Sequence, residues 1–265
     1  GGATGAADGY YRMKRSPAST LLHLGPGLAN GLANLHNAKK AHSGIVNIVG
    51  EHAIDHIKLN APLTSDIEGI ARPVSHWVKT SLSSKDIARD GAEAIAVAKV
   101  APGQIATLIL PGDTAWNEGT NYDEENITNN LNQVSNQKIE TAAKQLRDAK
   151  KPLILVGGSA LEDDNFINIA KIAEKIGCPV MTDWFNARID KGQGRINAVR
   201  IPYVVEKAVN VLKEFDTILI IGAKKPVAFF AYPNKPGILT QENTKFIELA
   251  ELSDDISKVV SSLTD

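Results

Sequence analysis

The sequence predicts an α/β protein built from two Rossmann-like, three-layer domains with mainly parallel sheets. Short apolar runs of strand length, such as residues 44–50 and 152–158, alternate along the chain with stretches whose apolar residues recur at helical spacing. The alternation is interrupted between residues 112 and 137 by a polar, Asn-rich stretch that has almost no aliphatic residues. Such a stretch is typical of a linker, so the chain is expected to fold as two parts.

The first part is predicted to begin with a helix over residues 1–13. Gly1, Gly5 and Gly9 recur along one face of this helix, so another backbone or a ligand can approach it closely. The later predicted elements of this part are a strand (18–24), a sharp turn (25–27), a helix (28–40), a strand (44–50), a loop-like stretch (51–65), a helix (85–100) with Ser84 as its N-cap, and a strand (104–110).

The second part repeats the alternation. Its predicted elements are a helix (138–149), a strand (152–158), a helix (165–177), a short strand (178–182), a helix (202–215), two strands (217–222 and 244–249) and a closing helix (254–263). Glu162, Asp163 and Asp164 near the start of the second helix complement its dipole and disfavour anion binding there. The predicted organisation is a first domain over residues 1–113, a linker over 114–137 and a second domain over 138–265.

Composition excludes several classes of protein. Hydrophobic residues make up 43% of the 265 residues and charged residues 22%, as in ordinary globular domains. A net charge of -1 and an aromatic content of 5% give no reason to expect nucleic acid as a partner. No apolar run approaches membrane-spanning length. The single cysteine, Cys178, excludes a disulfide framework, is interpreted as a core thiol and makes the cytoplasm the default localisation.

The first candidate site is the turn Gly25-Pro26-Gly27. It follows a predicted strand and precedes a predicted helix, and α/β sheets bind ligands at the carboxyl ends of their strands. Asn30, in the first turn of the predicted helix, could place an amide beside a heteroaromatic ring. The alternative is an ordinary connection between strand and helix. The motif is not G-x-G-x-x-G, so it does not indicate dinucleotide binding.

The second candidate site follows the next predicted strand. Glu51 and His52 lie at its carboxyl end, where they could take part in acid–base chemistry or contact a substrate. His52 and His56 have the spacing of a metal-binding pair, but the sequence offers no third ligand, so no metal site is predicted. His56 is interpreted as a solvated loop residue.

The most aromatic stretch of the chain covers residues 223–237 and contains Phe229, Phe230 and Tyr232. A flat cofactor or a subunit contact could use it, and a loop packed across the core would explain it equally well. Residues 126–128 form a glycosylation sequon by pattern, but no other feature indicates secretion.

Taken together, the motifs resemble the thiamine-diphosphate enzymes, specifically the acetolactate synthase-like group. Four segments carry the resemblance in the first part: "GGATGAADGYYRM", "LLHLGPGLANGLANLHNAKKAHSGIVNIVGEH", "APLTSDIEGIARPVSHWVKT" and "ATLILPGD". In the second part the matching segments are "KPLILVGGSA" and "PVAFFAYP". The resemblance implies that residues 1–113 form the pyrimidine-binding domain and that residues 138–265 form the central Rossmann-like domain.

The resemblance also implies roles for the candidate residues. Gly25, Pro26, Gly27 and Asn30 match the loop that lines the aminopyrimidine pocket, and Glu51 and His52 match its substrate-facing edge. The catalytic glutamate of the family would precede Gly1, so no catalytic residue is assigned here and the first domain is expected to be truncated at its N-terminus. The Mg²⁺ motif of the family, Gly-Asp-Gly followed by Asn-Asn, is matched neither by residues 112–114 nor by residues 129–130.

The function implied is that of a carboligase or decarboxylase, a transferase or lyase acting on a 2-oxo acid, with pyruvate as the expected donor. The implied cofactors are thiamine diphosphate with Mg²⁺ in the complete enzyme, and FAD is possible because some relatives bind a flavin in the central domain. A homodimer or tetramer is implied for the complete enzyme, and residues 1–265 alone are expected to be inactive. Two alternatives remain open: a non-catalytic flavin- or nucleotide-binding module, and a structural partner of an intact synthase.

Overall fold

The computed structural model describes residues 1–122, 131–192 and 194–264. The chain divides into two compact units, Gly1–Asn130 and Leu131–Asp265, each with its own parallel sheet. This confirms the predicted α/β class with two mainly parallel sheets. The predicted sequon at 126–128, residues 129–130 and part of the predicted linker lie outside the described residues. Among the residues described, no helix is both long and apolar enough to cross a membrane.

The first unit contains a four-stranded sheet in the order β1-β2-β4-β3, in which every pair is parallel. Its elements are α1 (Gly2–Lys14), β1 (Ala18–His23), α2 (Leu24–Ala29), α3 (Leu32–Lys40), β2 (Ile45–Glu51), α4 (Ile54–Ile57), α5 (Ile67–Ala71), a 3₁₀ turn (Arg72–Val74), β3 (Trp77–Thr80), α6 (Ile87–Lys99), β4 (Ile105–Pro111) and α7 (Asp113–Trp116).

The structure differs from the predictions for this unit in several places. The stretch 51–65 contains the one-turn helix α4, and β3 was not predicted because its four residues show no strand-length apolar run. Ser84 does not cap α6. That helix begins after Asp86, while the Ser84 hydroxyl donates a hydrogen bond to the carbonyl of Glu118 (2.7 Å), so the serine joins two loops instead.

The second unit contains a five-stranded parallel sheet in the order β7-β6-β5-β8-β9. Its elements are α8 (Asn136–Asp148), β5 (Pro152–Val156), a 3₁₀ turn (Gly158–Leu161), α9 (Asp163–Ile176), β6 (Val180–Thr182), β7 (Val199–Arg200), α10 (Val205–Leu212), β8 (Thr217–Ile221), β9 (Lys245–Ala250) and α11 (Ile256–Thr264).

Here too the structure adjusts the predictions. β7 was missed because it is only two residues long, and β6 begins two residues after Cys178. The cysteine is only half-buried, and the burial that it has raises the pKa of its thiol to about 11. Asp163 and Asp164 do occupy the first turn of α9, where negative charge favours the helix dipole.

A buried polar ladder crosses the core of the first unit. The Thr20 hydroxyl donates to the Asn47 amide oxygen (2.8 Å), and the Asn47 amide nitrogen donates to the Thr107 hydroxyl (3.2 Å). The Thr107 hydroxyl also bonds to that of Ser75 (2.7 Å). Thr20, Asn47 and Thr107 are register partners on β1, β2 and β4. A slip of any of these strands would leave buried polar groups unpaired, so the ladder specifies the register.

We expect Asn47→Ala to lower the free energy of unfolding of the first unit by about 2–4 kcal/mol, because it opens a cavity, removes the acceptor of the Thr20 hydroxyl and leaves the Thr107 hydroxyl with Ser75 alone. Urea denaturation measures the loss, and hydrogen exchange of strand amides assigns it to this unit. Asn37→Ala, at an exposed position on α3, is the control and should change little. Equal midpoints for the two variants would contradict this account of the ladder.

A buried carboxylate ties α6 to the edge strand β3. Asp90 is 1% exposed and accepts from Lys79 Nζ (2.9 Å) and Arg89 Nη2 (3.0 Å). Burial alone would raise the pKa of Asp90, but hydrogen bonds from Lys79, Arg89 and Ser81 outweigh it, and the pKa is lowered overall. The folded chain therefore favours the ionised form of this group.

Because its folded pKa lies below the unfolded value of about 4, Asp90 stabilises the fold fully above about pH 5, and this contribution is lost as the pH falls through that range. We expect Asp90→Asn to destabilise the protein by about 1–3 kcal/mol at pH 7. We also expect the free energy of unfolding of this variant to fall less steeply than that of the wild type as the pH is lowered below about 5. Denaturation between pH 3 and 7 tests this. The exposed Asp55→Asn control should keep the wild-type profile, and an unchanged slope in Asp90→Asn would refute the assignment.

Candidate functional site

The two candidate groups lie at neighbouring strand ends of the first unit. His23, the last residue of β1, is the register partner of Gly50 on β2. Helix α2 begins directly after β1, and Glu51 ends β2. The first turn of α2 therefore stands at the same sheet edge as Glu51 and His52. This is the edge at which parallel α/β sheets bind ligands.

The structure changes the local conformation predicted for the Gly-Pro-Gly segment. The chain turns at Leu24, whose φ of 55° lies in the left-handed region, and residues 25–27 then form helix rather than a turn. Leu24 is 4% exposed, so the burial of its side chain holds this strained backbone in place.

Asn30 also occupies a different position from the one predicted. It ends α2, where its N–H bonds to the carbonyl of Pro26 (3.1 Å), instead of standing in the first turn of a longer helix. The predicted single helix is two helices, α2 and α3, separated by Gly31. The side chains of Pro26 and Asn30 are exposed.

Gly25 permits a close approach between α2 and the loop before α5. A Cβ at this position would lie 2.3 Å from Ser65 Oγ and 2.5 Å from Ser65 Cβ, well inside van der Waals contact. Gly27 is less constrained, since its Cβ would lie 3.3 Å from that of His23. The first glycine therefore brings the Ser65 loop against the helix start, and Pro26 is the exposed residue of the motif.

Two buried side-chain polar atoms of the first unit have no hydrogen-bond partner among the residues described. The Glu51 carboxylate accepts from the His52 backbone N–H (2.7 Å), and the His52 ring lies 5.4 Å from that of His56. Within the described residues, His52 Nε2 and Thr64 Oγ1 are buried and make no hydrogen bond. Buried polar atoms are normally paired, so the unpaired Nε2 of His52, the residue after Glu51, fits a site that a polar ligand completes.

The sequence reasoning missed His23. Its side chain is exposed, and its place as the last residue of a strand that leads into the Gly-Pro-Gly helix is the signal that could have revealed it.

The loop after β2 is further tied to the end of β4, because Asp113 accepts from the N–H of Ile54 (3.0 Å). Among the described residues, no group of three or more His, Cys, Asp or Glu side chains is arranged to hold a metal.

In the second unit, the corresponding crevice between β5 and β8 is filled by the chain itself. A Cβ on Gly157 would lie 2.5 Å from the Gly222 carbonyl oxygen, and a Cβ on Gly222 would lie 2.5 Å from that of Gly157. Next to them, Leu252 fills the space above Gly158. A Rossmann crevice uses glycines to admit a pyrophosphate, whereas these glycines admit another part of the backbone. The residues present do not fit a flavin dinucleotide at this position.

Family models match both units. The model for the N-terminal TPP binding domain of thiamine pyrophosphate enzymes matches residues 1–71, and the model for the central domain of the same enzymes matches residues 139–263. The chain belongs to the thiamine pyrophosphate enzyme family. This confirms the resemblance found in the sequence, with the two domains in the expected order.

Curated relatives point to one group within the thiamine pyrophosphate enzymes. A candidate acetolactate synthase large subunit, IlvX, of Mycobacterium tuberculosis is 38% identical over 95% of this chain and 48% of its own length. An acetolactate synthase of Mycobacterium leprae is 28% identical over 68% of this chain and 30% of its own length. The chain thus spans about half or less of the length of these relatives.

Solved structures of thiamine diphosphate enzymes share the fold. A 4-hydroxybenzoylformate decarboxylase of Rhodococcus jostii RHA1 superposes with a TM-score of 0.80 over 98% of this chain and 52% of its own, at 21% identity. A benzoylformate decarboxylase of Polynucleobacter necessarius gives a TM-score of 0.82 over 98% and 51%, at 20% identity. At these identities the likeness shows the fold alone.

We expect Gly25→Ala to destabilise this thiamine pyrophosphate family member by about 1–3 kcal/mol, because the new methyl group overlaps Ser65. Adding Ser65→Gly removes both overlapping atoms and should recover most of the loss. Gly50→Ala is the matched control, since its Cβ would meet only Leu22 O at 3.9 Å. Thermal unfolding of the four variants measures the coupling, and additive effects of Gly25→Ala and Ser65→Gly would show that the close approach is absent.

Proposed function

We propose that this chain provides the pyrimidine-binding and central domains of a thiamine-diphosphate-dependent carboligase or decarboxylase of the acetolactate synthase type, acting on a 2-oxo acid with pyruvate as donor. The observation that carries the proposal is that the segment matched by the N-terminal TPP binding model brings the α2 start and the Glu51–His52 pair to one sheet edge. The relationship to acetolactate synthases supports pyruvate over aromatic 2-oxo acids.

The residues present fit the pyrimidine half of the cofactor. Bound thiamine diphosphate supplies the electron sink for cleavage of the bond between the carboxylate and the carbonyl carbon of a 2-oxo acid. Pro26 and Gly27 would offer the flat ring a rigid apolar surface, and Asn30 would offer it an amide. Gly25 acts indirectly by holding the Ser65 loop against this surface.

Glu51 and His52 would handle protons on the substrate side. The carboxylate already accepts the backbone N–H of His52, which fixes its orientation, while the unpaired Nε2 of the imidazole is the atom available to a substrate oxygen. His23, at the end of the adjacent strand β1, would provide a second imidazole at the same edge of the sheet. Two titratable groups beside each other suit a reaction in which a carboxylate leaves and a carbon or oxygen is later protonated.

The diphosphate would be held elsewhere. It requires a divalent cation such as Mg²⁺ with oxygen ligands, and the described residues offer no such group. We infer that another domain of the complete enzyme, in the same or a partner subunit, supplies that site. We further propose a homodimer or tetramer as the working unit and the cytoplasm as its localisation. FAD is not part of the proposal, because the crevice of the second unit is closed.

The complete reading frame that contains these residues should release CO₂ from pyruvate in the presence of thiamine diphosphate and Mg²⁺. We expect His52→Ala and Glu51→Gln to lower kcat/KM about 100-fold, as for the loss of a group that handles protons. His36→Gln, at an exposed position on α3, should leave the rate unchanged.

Residues 1–265 by themselves should show no pyruvate consumption under the same conditions. Turnover by this segment alone would contradict the division of the site between domains. Failure of the complete protein to decarboxylate pyruvate or other 2-oxo acids would overturn the proposed function itself.

A further inference from the structure

The amino-terminal edge of the sheet in the first unit carries an excess of positive charge. The sequence has no Asp or Glu from residue 9 to residue 50 or from residue 94 to residue 112, although the whole chain is nearly neutral. Six basic side chains of these two stretches lie at or just after the ends of α1, α3 and α6, the helices that lead into β1, β2 and β4. We call them the basic edge: Lys14, Arg15, Lys39, Lys40, His42 and Lys99.

Contacts among the connecting segments join the basic edge into one surface. A Cβ on Gly103, in the connection between α6 and β4, would lie 2.6 Å from the Tyr11 hydroxyl oxygen and closer still to the carbonyl oxygen of His42. The last turn of α1 and the connections before β2 and β4 therefore touch. Lys39 Nζ donates to the carbonyl of Ser75 (3.1 Å), which adds the connection before β3. All four segments that enter the sheet meet at this edge.

The electrostatic potential at the basic edge is positive. Asp8, the acid that precedes these residues in the chain, is paired with Arg12 (2.8 Å), so the two together add no net charge. The pKa of His76, in the connection before β3, is lowered by burial and further by the charges of Lys39 and His42. A neighbouring carboxylate would raise the pKa of an imidazole, whereas the charges that act on His76 are cations.

The stabilisation of helix ends accounts for only part of this charge. A helix C-terminus behaves as about half a negative charge, so the ends of α1, α3 and α6 together offset about 1.5 positive charges. The four lysines of the basic edge alone exceed that amount. A net positive charge therefore remains after the helix dipoles have been counted.

The width of the basic edge suits an extended peptide. Four parallel strands spaced about 4.8 Å apart make an edge about 14 Å wide, which is the length of four or five residues of extended chain. The lysines belong to three helix ends instead of one loop. A single phosphate is typically held by donors that converge, as the fork of an arginine does, whereas cations distributed along an edge suit a chain with several negative charges.

Exposed apolar residues are interspersed with the cations. Met13 is 68% exposed beside Lys14, and Val100 is 39% exposed beside Lys99. They can contact apolar side chains that lie between the acids of a peptide. They are separate positions, not the continuous apolar face with which a protein enters a membrane surface. Nucleic acid is disfavoured because the chain is poor in the aromatic side chains on which bases stack.

We propose that the basic edge binds an extended acidic segment of a partner protein. Charge complementarity supplies the attraction, and the exposed side chains of Lys14, Lys40 and Lys99 contact its carboxylates. The basic edge lies at the opposite end of β2 from Glu51, so a bound segment leaves the candidate site open. The proposal does not rest on the proposed catalytic function.

Fluorescence anisotropy of a labelled acidic peptide tests the proposal. The probe is a peptide of about ten residues in which Leu is interspersed among Glu, and its control has Gln in place of every Glu. We expect a dissociation constant of about 10–100 µM for the acidic peptide at about 50 mM salt. At about 300 mM salt the binding should weaken about 10-fold, because exposed charges are screened. The Gln peptide should not bind.

Two triple variants locate the binding surface. Lys14→Gln, Lys40→Gln and Lys99→Gln together should weaken binding of the acidic peptide about 10-fold. The matched control combines Lys138→Gln, Lys144→Gln and Lys207→Gln, which remove the same charge from exposed positions of the second unit, and should bind as the wild type does. Circular dichroism establishes that both variants are folded.

Cross-linking of the wild-type chain locates the peptide without any substitution. A carbodiimide joins lysine amines to nearby carboxylates, and mass spectrometry should find the peptide attached to lysines of the basic edge. Cross-links confined to other lysines would overturn the proposal, as would equal binding by the two triple variants or no binding at about 1 mM peptide. Tighter binding of a single-stranded oligonucleotide, or of vesicles that contain phosphatidylserine, would also contradict it, because the partner would then be of another kind.

Discussion

The register of β1, β2 and β4 is the constraint on which the candidate site depends. Parallel strands can slide by two residues and still bury an alternating apolar face, so burial alone leaves their ends undefined. The hydrogen bonds among Thr20, Asn47 and Thr107 remove that freedom, because only one alignment pairs all three side chains. The same alignment sets His23 beside Gly50 and ends β2 at Glu51. A polar ladder in the middle of the core thus determines which side chains meet at its edge.

The sequence was sufficient for the architecture because strand-length apolar runs and helical periodicity are local signals. Prediction from the sequence failed where contacts with another part of the chain decide the local conformation. Strand β3 has no apolar run of its own and exists because β4 pairs with it. The Gly-Pro-Gly segment has the composition of a turn, but the buried Leu24 takes the left-handed conformation instead and leaves the segment helical. Local propensity gave way in both cases to tertiary contacts.

In the candidate site, too, the sequence revealed what depends on local signals and did not reveal what depends on tertiary contacts. Glu51 and His52 could be placed at a strand end from sequence, because the end of an apolar run is visible there. The role of Gly25 could not be foreseen, since it depends on Ser65, forty residues further along the chain. The aromatic stretch 223–237 was visible in the sequence, but its contacts with Trp184 and Tyr203 were not, so a core position and a surface position could not be told apart.

The two units have similar architecture and use their strand ends in opposite ways. In the first unit, Gly25 packs against Ser65, Pro26 is exposed, and Nε2 of His52, the residue after Glu51, remains unpaired among the residues described. In the second unit, Gly157 and Gly222 pack the two loops against each other, which closes the crevice where a nucleotide would bind. What the second unit leaves exposed is part of its aromatic stretch, in which Phe230 is 55% exposed. In both units, glycines after a parallel strand let another part of the chain pack closely against them. At Gly25 that part is the Ser65 side chain, and a ligand site remains beside it. At Gly157 and Gly222 it is the backbone of the other loop, and the space for a nucleotide is lost.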